Sequence, residues 1–440
     1  MSVLILIACI VFLILQITVL KVNPFLAFII TSIIAGLLLG LPISTLPQTI
    51  EKGMGDMLGA ISLVIIFGTC IGKLTVSSGA ANVIAKTIMN WTGPKYVRLG
   101  LMTTGFIVGI PLFYSVGFVL LIPLIFSIAY QLKLPKVYLG IPMLASLSVA
   151  HGFLPPHPSP MALSKMFNAN IGMVLIYGIL IAIPTILIAG LLFSNFFKNI
   201  KENASNEIVK VEEFVNGNMQ PGFAVSILSS LFPVFGLTIT SLLPLIWKDP
   251  LLIAVCKTLG SPSSIMLVSL LICTYTLGIR SGKSLKMVMD DYAVAIKDVA
   301  MIIFIVGGAG CLKEVMSVSG VSQSIVQYLI QLDIHPYLLA WVMAAIIRVC
   351  IGSATAAGLM TAGVLLPLLQ VNGIDPNLLV LSIGAGSLMC SHVNDPSFWM
   401  FKEYFNISMK DTFKTWTVME SLVSVLGITF IFIVNFIIQK

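Results

Sequence analysis

The chain alternates long apolar runs with short polar segments. A helix needs about 20 mostly apolar residues to cross the hydrocarbon core of a bilayer. Runs of this kind cover residues 2–20, 25–41, 57–77, 171–193, 223–246, 263–279, 299–318 and 416–436. The pattern predicts a bundle of membrane-spanning helices.

Four further apolar stretches are interrupted by proline, glycine or polar residues. They cover residues 98–130, 138–160, 337–369 and 378–391. Unpaired backbone groups are costly in hydrocarbon, so irregular backbone at membrane depth is tolerated only inside the protein or beside a wet cavity. We therefore predict broken helices and two re-entrant hairpins that surround an interior site.

Composition narrows the class of protein. Hydrophobic residues make up 58% of the chain and charged residues 9%, whereas globular domains carry roughly 25% charged residues. The net charge of +7 is spread without a basic block, which excludes a nucleic-acid-binding protein. The seven cysteines lack the spacing of a metal site or a disulfide framework, and we expect no cofactor. These features predict an all-α polytopic membrane protein of about 12 transmembrane helices plus two re-entrant hairpins.

One polar segment separates two apolar parts of similar length. Residues 198–220 are polar and mixed in charge, and the segment is too short to form a domain. We predict a cytoplasmic linker at 198–220, a first transmembrane half at 1–197 and a second at 221–440.

The two halves contain an internal repeat. His392 lies 241 positions after His151, and the same shift matches several Cys, Gly and Pro residues: Cys70 with Cys311, Gly117 with Gly358, Pro135 with Pro376, and Pro155 with Pro396. These matches carry weight because the chain has only four histidines. The prediction is one repeat at about 57–194 and a second at about 299–438.

Charge indicates that the repeat is inverted. The segments at 198–220 and 280–298 together hold seven Lys and Arg residues, and the positive-inside rule places both in the cytoplasm. The run 299–318 then leads outward, whereas its counterpart 57–77 is followed by Lys86, Lys95 and Arg98 and leads inward. Equivalent helices of opposite direction define an inverted-topology repeat. This arrangement predicts both termini on the outer side.

Two matched histidines mark the predicted site. His151 and His392 each end a short apolar segment and precede a proline-containing turn, HGFLPPHP and HVNDP. If the two hairpins meet, these turns bring Pro155, His157 and Asn394 to the same place. Half-helix ends offer free backbone groups to a ligand, and a histidine can also carry a proton. The alternative is a structural histidine bonded to a nearby carbonyl.

Arg348 is the most informative single residue. It ends an apolar stretch and is followed by the break Gly352–Thr355, whose counterpart in the first half is residues 111–114. Arginine keeps its charge and binds carboxylates through its planar group. Its partner is therefore a substrate carboxylate or a distant acid such as Asp395. Ser353 and Thr355 add hydroxyls suited to a hydroxylated ligand, and Glu420 is the other acid deep in an apolar run.

These same segments resemble the GntP-type gluconate:proton symporter family of bacterial permeases. The similar motifs are HGFLPPHPSP at 151–160, RVCIGSATAAG at 348–358, SHVNDPSFWMFKEYF at 391–405 and TFKTWTVMES at 412–421. The resemblance covers essentially the whole chain. It implies proton-driven uptake of gluconate or a related small carboxylate across the bacterial cytoplasmic (inner) membrane.

The chain departs from the family pattern at three positions. Ser115 stands where an acidic residue is usual, Ser159 replaces a glycine, and Ala150 replaces a hydroxyl residue. Because Ser115 lies in a broken helix, we expect the absence of a carboxylate there to affect either the coupling mechanism or the substrate preference.

These observations assign roles to the candidate residues. Substrate binding is predicted for Arg348, Ser353, Thr355, His151, Pro155, His157, His392 and Asn394, and ion coupling for Asp395, His151, His392 and Glu420.

D-serine or another small hydroxy or amino carboxylate stays open as substrate, and sodium as coupling ion. An intramembrane enzyme is disfavoured because no HExxH motif or Ser/His/Asp order is present. A passive channel is disfavoured by the paired broken helices. The partners expected are the substrate, protons and the bilayer, with a homo-oligomer left open.

Overall fold

The computed structural model describes residues 2–198, 200, 220–247, 249–320, 334–370, 373–393 and 395–438. Most of the predicted linker at 198–220 lies outside these residues, so its role and the boundaries of the two halves stay predictions. Every regular element in the described ranges is helical.

The helices of the first part run from the N-terminus to the polar segment. They are α1 (Ser2–Thr18), α2 (Pro24–Leu38), α3 (Leu46–Ser77), α4 (Ala80–Thr92), α5 (Val97–Gly109), α6 (Tyr114–Leu132), α7 (Lys136–Phe153), α8 (Pro158–Met166) and α9 (Ile171–Ile186). A π-helical turn at Leu187–Leu192 extends α9.

The second part contains a longer series. Its helices are α10 (Phe223–Ser230), α11 (Phe232–Ile246), α12 (Pro250–Leu259), α13 (Pro262–Cys273), α14 (Leu285–Val318), α15 (Pro336–Ile351), α16 (Ala354–Leu365), α17 (Pro376–Gly386), α18 (Pro396–Phe405), α19 (Met409–Thr412) and α20 (Val418–Ile438). π-Helical turns at Thr274–Gly278 and Phe413–Thr417 follow α13 and precede α20.

The helices match the predicted membrane class. Within the described residues, six helical segments are long and apolar enough to cross a membrane, or up to eight if each of two bent pairs counts as one span. Four shorter apolar helices accompany them: α2, α15, α16 and α17. The prediction of an all-helical, multi-pass membrane protein is therefore confirmed.

Proline sets many helix starts. It occupies the first turn of α2, α8, α12, α13, α15, α17 and α18. Its fixed φ suits this position, and the N–H it lacks would have no intrahelical acceptor there. Before α17 and α18 the caps are Asp375 and Asp395, whose carboxylates accept from the amides of Asn377 and Ser397. The proline-containing turns predicted from the sequence are therefore, in the structure, the first turns of short helices.

The repeat is visible in the order of the helices. α3 ends at Ser77 and α14 at Val318, 241 positions later; α6 begins at Tyr114 and α16 at Ala354, 240 positions later. α3 and α14 are long and pack against each other. Both offsets are close to the 241-residue shift of the predicted repeat.

The first and second parts of the chain contact each other through reciprocal pairs of helices. Each helix of one pair is the repeat counterpart of a helix in the other pair. Phe405 of α18 packs on Phe126 of α6, with ring centroids 5.7 Å apart. Conversely, α8 packs on α16, where a Cβ on Gly358 would lie 3.0 Å from the Ser159 hydroxyl oxygen. Such reciprocal contacts are what a two-fold relation between equivalent units produces.

The two short interrupted segments cross at a pair of glycines. α7 lies at the centre of the bundle, with 94% of the apolar window of Lys136–Met166 buried. A Cβ on Gly384 of α17 would lie 2.5 Å from the carbonyl oxygen of Gly152 of α7, and one on Gly152 would lie 2.6 Å from Leu388. The ends of α7 and α17 therefore touch almost backbone to backbone, next to His151.

Candidate functional site

The second-half break turns the chain between α15 and α16. Gly352 ends α15 with a φ of 81°, a left-handed conformation that costs glycine little. Ser353 then caps α16, and its Oγ accepts from the Ala356 amide at 3.3 Å. The first amides of a helix have no intrahelical acceptor and favour an anion. The break therefore presents a helix N-terminus to the interior.

The first-half break has the same design. α5 ends at Gly109, residues 110–113 form an irregular turn, and α6 begins at Tyr114. No side chain caps the start of α6. Tyr114 occupies the position that the 241-residue shift matches with Thr355.

Both breaks contribute to one cavity of about 230 Å³. Its walls come from α6, α7, both sides of the second break, the start of α18 and the last helical segment. They are formed by Tyr114, Ser148, His151, Arg348, Gly352, Ser353, Ala354, Thr355, Leu388, Asp395, Pro396, Ser397, Trp416 and Glu420. Ser353 and Pro396 are exposed, whereas Arg348, Glu420 and Tyr114 are buried. The cavity thus has a mouth beside the second break and a buried floor.

Arg348 forms an ion pair in the cavity wall. Its side chain is 3% exposed, and its Nη2 donates to Asp395 Oδ2. Among the described residues, its Nε and Nη1 have no hydrogen-bond partner. The sequence left open whether Arg348 binds an acid of the protein or a substrate. The structure supplies the acid and leaves two donor nitrogens of the same cation unpaired.

Asp395 is held by several donors. Its Oδ2 also accepts from the Ser391 hydroxyl, and its Oδ1 accepts from the Ser397 amide at 2.8 Å. Ser391 in turn accepts from Trp416 Nε1 at 2.7 Å. The carboxylate that pairs with Arg348 is therefore fixed by the start of α18 and by the final helical segment.

Glu420 is the second acid of the floor and is less fully bonded. It is 2% exposed, and its Oε2 accepts from Ser148 of α7 at 2.9 Å. Its Oε1 has no partner among the described residues, and neither does Nδ1 of His151 or the hydroxyl of Tyr114. Buried polar atoms are normally satisfied, so unsatisfied ones that share a cavity require an explanation. A polar ligand in the cavity would supply the missing partners.

His157 lies behind His151 and lines a different space. Its ring contacts that of His151 with centroids 4.9 Å apart, and its Nε2 lies 3.0 Å from the carbonyl oxygen of Gly109. It borders a small cavity of about 20 Å³ with Pro111, Phe113 and Pro156. The 241-residue shift matches Pro111, Phe113 and Pro156 with Gly352, Ala354 and Ser397 of the large cavity. The small cavity is thus the first-half counterpart of the mouth.

Two further predicted contacts, Pro155 and His392, do not line the large cavity. Pro155 is in the turn between α7 and α8 and is not part of its wall. His392 is half-buried, and its Nε2 lies 3.0 Å from the Val349 carbonyl oxygen near the end of α15. This bond agrees with the alternative interpretation, in which the histidine binds a nearby backbone carbonyl and has a structural role. Asn394 lies outside the described residues.

Several wall residues were missed by sequence reasoning. Ser148, Ser397, Trp416 and Leu388 carry no signal of their own in so apolar a chain. Two signals did exist: Tyr114 is the repeat counterpart of Thr355, and Ser148 precedes His151 by three positions, which places both on one helix face. Hydroxyls and aromatic rings are common enough that only the structure separates those in the wall from the rest.

The three departures from the family pattern lie beside the wall and not in it. Ser115 is exposed, next to Tyr114, while Ala150 and Ser159 are buried. The Ser159 hydroxyl has no partner among the described residues. The usual acidic side chain at position 115 would therefore stand outside the buried floor.

Comparison with known proteins agrees with this architecture. The model of the GntP family of permeases matches residues 1–437. A gluconate permease of Bacillus subtilis (strain 168) is 40% identical over 429 residues, which cover 95% of this chain and 96% of that protein. A high-affinity gluconate transporter of Escherichia coli (strain K12) is 38% identical, with 95% of each chain covered. The Gnt-II system L-idonate transporter of the same strain is also 38% identical, with 94% of each covered.

A solved structure shares the fold. The crystal structure of the YdaH transporter of Alcanivorax borkumensis, described as having an unusual topology, superposes with a TM-score of 0.69. The match covers 95% of this chain and 98% of the other at 17% identity, so the likeness concerns the fold alone. From the match along nearly its whole length, this chain belongs to the GntP family of permeases.

Proposed function

We propose that this permease imports gluconate or a closely related sugar acid, together with protons, across the cytoplasmic membrane of a bacterium. The observation that carries the proposal is the cavity, where an arginine with unpaired donors lies among hydroxyls and helix N-termini. Relatives described as gluconate permeases and as an L-idonate transporter support the same substrate class.

The carboxylate end of the substrate is assigned to Arg348. Its Nε and Nη1 flank the nitrogen that Asp395 occupies, and both lack a protein partner in the described chain. A second carboxylate at these donors gains charge-assisted hydrogen bonds. The start of α16, beside Ser353 and Thr355, adds the partial positive charge of a helix N-terminus.

The hydroxyl groups of the substrate are assigned to side chains on both sides of the cavity. Ser353 and Thr355 lie toward the mouth, and His151 lies deeper. His157 contributes to substrate binding indirectly, because its ring packs on that of His151. His392 contributes indirectly through its hydrogen bond near the end of α15. Contacts by Pro155 and Asn394 stay predictions from the sequence.

Charge in the floor favours proton coupling. Arg348 and Asp395 form a neutral pair, so an entering carboxylate adds a negative charge beside Glu420. Uncompensated charge at membrane depth is expensive. A proton carried by Glu420, His151 or Asp395 offsets it, which ties substrate entry to proton entry. His392 is a weaker candidate because it lies outside the wall.

The two halves supply the movement. With transmembrane halves at 1–197 and 221–440, a site between them reaches each side of the membrane in turn when one repeat rocks against the other. The large open mouth at one break and the small cavity at the other fit one state of such a cycle.

Uptake of labelled gluconate into proteoliposomes tests the proposal. With the interior alkaline, we expect accumulation above the external concentration, and a protonophore should abolish it. Replacing sodium by potassium should change nothing. Accumulation that follows a sodium gradient would contradict proton coupling. Absence of gluconate and idonate uptake by the inserted protein, with uptake of D-serine, would contradict the substrate assignment.

A further inference from the structure

The Tyr114 hydroxyl is a buried polar group that the protein leaves unsatisfied. The residue is 9% exposed and lines the large cavity. Its hydroxyl makes no hydrogen bond with any described residue. A buried phenol normally finds a partner, and the cavity is the space in which Tyr114 can find one.

The ring of Tyr114 is fixed by its neighbours. It contacts Phe118 at 6.0 Å and Trp416 at 5.8 Å between ring centroids. Trp416 is itself stacked on Phe401 at 5.4 Å and donates to Ser391. Because Ser391 also donates to Asp395, the same framework positions Tyr114 and the ion pair of Arg348. The hydroxyl is preorganised for a ligand held at that pair.

The surroundings of the hydroxyl favour an alcohol as its partner. Besides the two nitrogens of Arg348, the atoms in the floor without a partner among the described residues include Glu420 Oε1, an acceptor when ionised, and His151 Nδ1. A carboxylate beside Glu420 meets a like charge, whereas an alcohol can donate to one group and accept from another. The donors of Arg348 serve the carboxylate end, so Tyr114 faces the chain of the substrate.

We infer that Tyr114 hydrogen-bonds a hydroxyl of the sugar-acid chain and thereby selects long polyhydroxylated acids over short ones. The inference rests on the proposed function and adds a specificity residue to it. Thr355 is the repeat counterpart of Tyr114, and both follow a helix break and line the cavity. Tyr114 and Thr355 thus place hydroxyl groups from equivalent positions of the two halves in the wall of the cavity.

The substitution Tyr114→Phe tests the inference because it removes only the hydroxyl. We would measure inhibition of labelled gluconate uptake by unlabelled gluconate, by the four-carbon acid threonate and by the three-carbon acid glycerate. Loss of one hydrogen bond to a ligand corresponds to about a tenfold loss of affinity. The inference that Tyr114 contacts the distal chain predicts that loss for gluconate and a change of less than about twofold for glycerate, which lacks the hydroxyls beyond its third carbon.

Controls separate this effect from damage to the fold. The thermal midpoint of purified Tyr114→Phe should equal that of the wild type, since the hydroxyl bonds to none of the residues that the structure describes. Tyr130→Phe, at a residue 85% exposed, should change neither affinity. Equal loss for gluconate and glycerate, or no loss for either, would overturn the inference while wild-type uptake stands. If the wild type itself takes up no sugar acid, the proposed function fails, and this inference fails with it.

Discussion

At the scale of single residues, the ion pair between Arg348 and Asp395 uses one of the three nitrogens of the guanidinium group, Nη2. A buried pair is costly to desolvate and is weak support for stability on its own. Within the described part of the chain, the cation in the cavity wall has one acidic partner and two nitrogens without one. The arrangement suits a cation that holds a fixed anion and receives a second one.

The first prediction concerns the shape of that cation. Arg348→Lys should lower the initial rate of gluconate uptake by about 100-fold or more, because a point charge cannot serve Asp395 and a substrate at once. The amount of protein in the membrane should stay normal. Arg280→Lys, at an exposed residue, is the matched control and should transport normally. Uptake at unchanged affinity in Arg348→Lys would refute the assignment.

A second prediction separates coupling from binding. Glu420→Gln keeps an oxygen for the Ser148 hydroxyl but cannot exchange a proton at membrane depth. An imposed pH gradient should then no longer drive accumulation, and internal gluconate should at most equal the external concentration. The control Ser148→Ala retains the carboxyl group and should still accumulate substrate. A pH-driven gradient of gluconate in Glu420→Gln would remove this residue from the coupling mechanism.

Sequence reasoning named the ionisable residues of the cavity wall together with Ser353 and Thr355, and it missed the other neutral residues. Arg348, Asp395, Glu420 and His151 are conspicuous because charge and imidazole are rare in apolar runs. Tyr114, Ser148 and Trp416 are not, because a hydroxyl or a ring at membrane depth can equally face lipid or a neighbouring helix. Their place in the wall depends on which helix faces they occupy.

At the scale of elements, the site is built from helices that stop inside the protein. α15 and α16 are separated by two residues, and both ends face one cavity. A broken helix exposes a dipole and free amides where an unbroken one exposes only side chains. The second break therefore offers free backbone amides to the cavity, and the exposed Ser353 lies at its mouth.

The third prediction addresses the turn that makes this break possible. Gly352→Ala places a Cβ on a residue with a φ of 81°, which costs about 1 kcal/mol or more. We expect a lower thermal midpoint together with reduced gluconate affinity, because the start of α16 shifts. Gly373→Ala has a similar φ of 83° with open space around it. It should share the loss of stability and keep full affinity, and equal affinity loss in both variants would argue against a local role for the turn.

The breaks themselves were predictable, whereas their geometry was not. Proline and glycine at residues 111–114 and 352–355 marked the interruptions because neither residue continues a membrane helix freely. The joining of both breaks to one cavity depends on the crossing of α7 and α17, where Gly152 and Gly384 meet. Close approach between segments so far apart in sequence leaves no local pattern beyond a pair of glycines. The positions of the π-helical turns were not predicted from the sequence.

At the scale of the whole molecule, the positions matched by the repeat line cavities of very different volume. The mouth at Gly352, Ala354 and Ser397 belongs to a cavity of about 230 Å³, and the matched positions in the first half border about 20 Å³. The space beside equivalent segments thus differs between the two parts of the chain.

The fourth prediction uses this difference. In a background carrying Cys350→Ser, which removes an exposed thiol, Ser353→Cys should react with a membrane-impermeant maleimide from one side only. Saturating gluconate should slow the reaction. Phe113→Cys, beside the small cavity, should resist the reagent under the same conditions from either side. Fast labelling of both variants from opposite sides at once would indicate a continuous pore instead of a transporter.

The buried floor has a consequence for the energetics of transport. Its polar groups come from both halves, Tyr114, Ser148 and His151 from the first and Arg348, Asp395 and Glu420 from the second. If only the entrances change between states, the ligand keeps the same contacts whichever compartment it came from. Intrinsic affinity is then similar on the two faces, and the protein itself has no preferred direction. Net flux would be set by the gradients of acid and proton alone, so reversing them should turn the importer into an exporter.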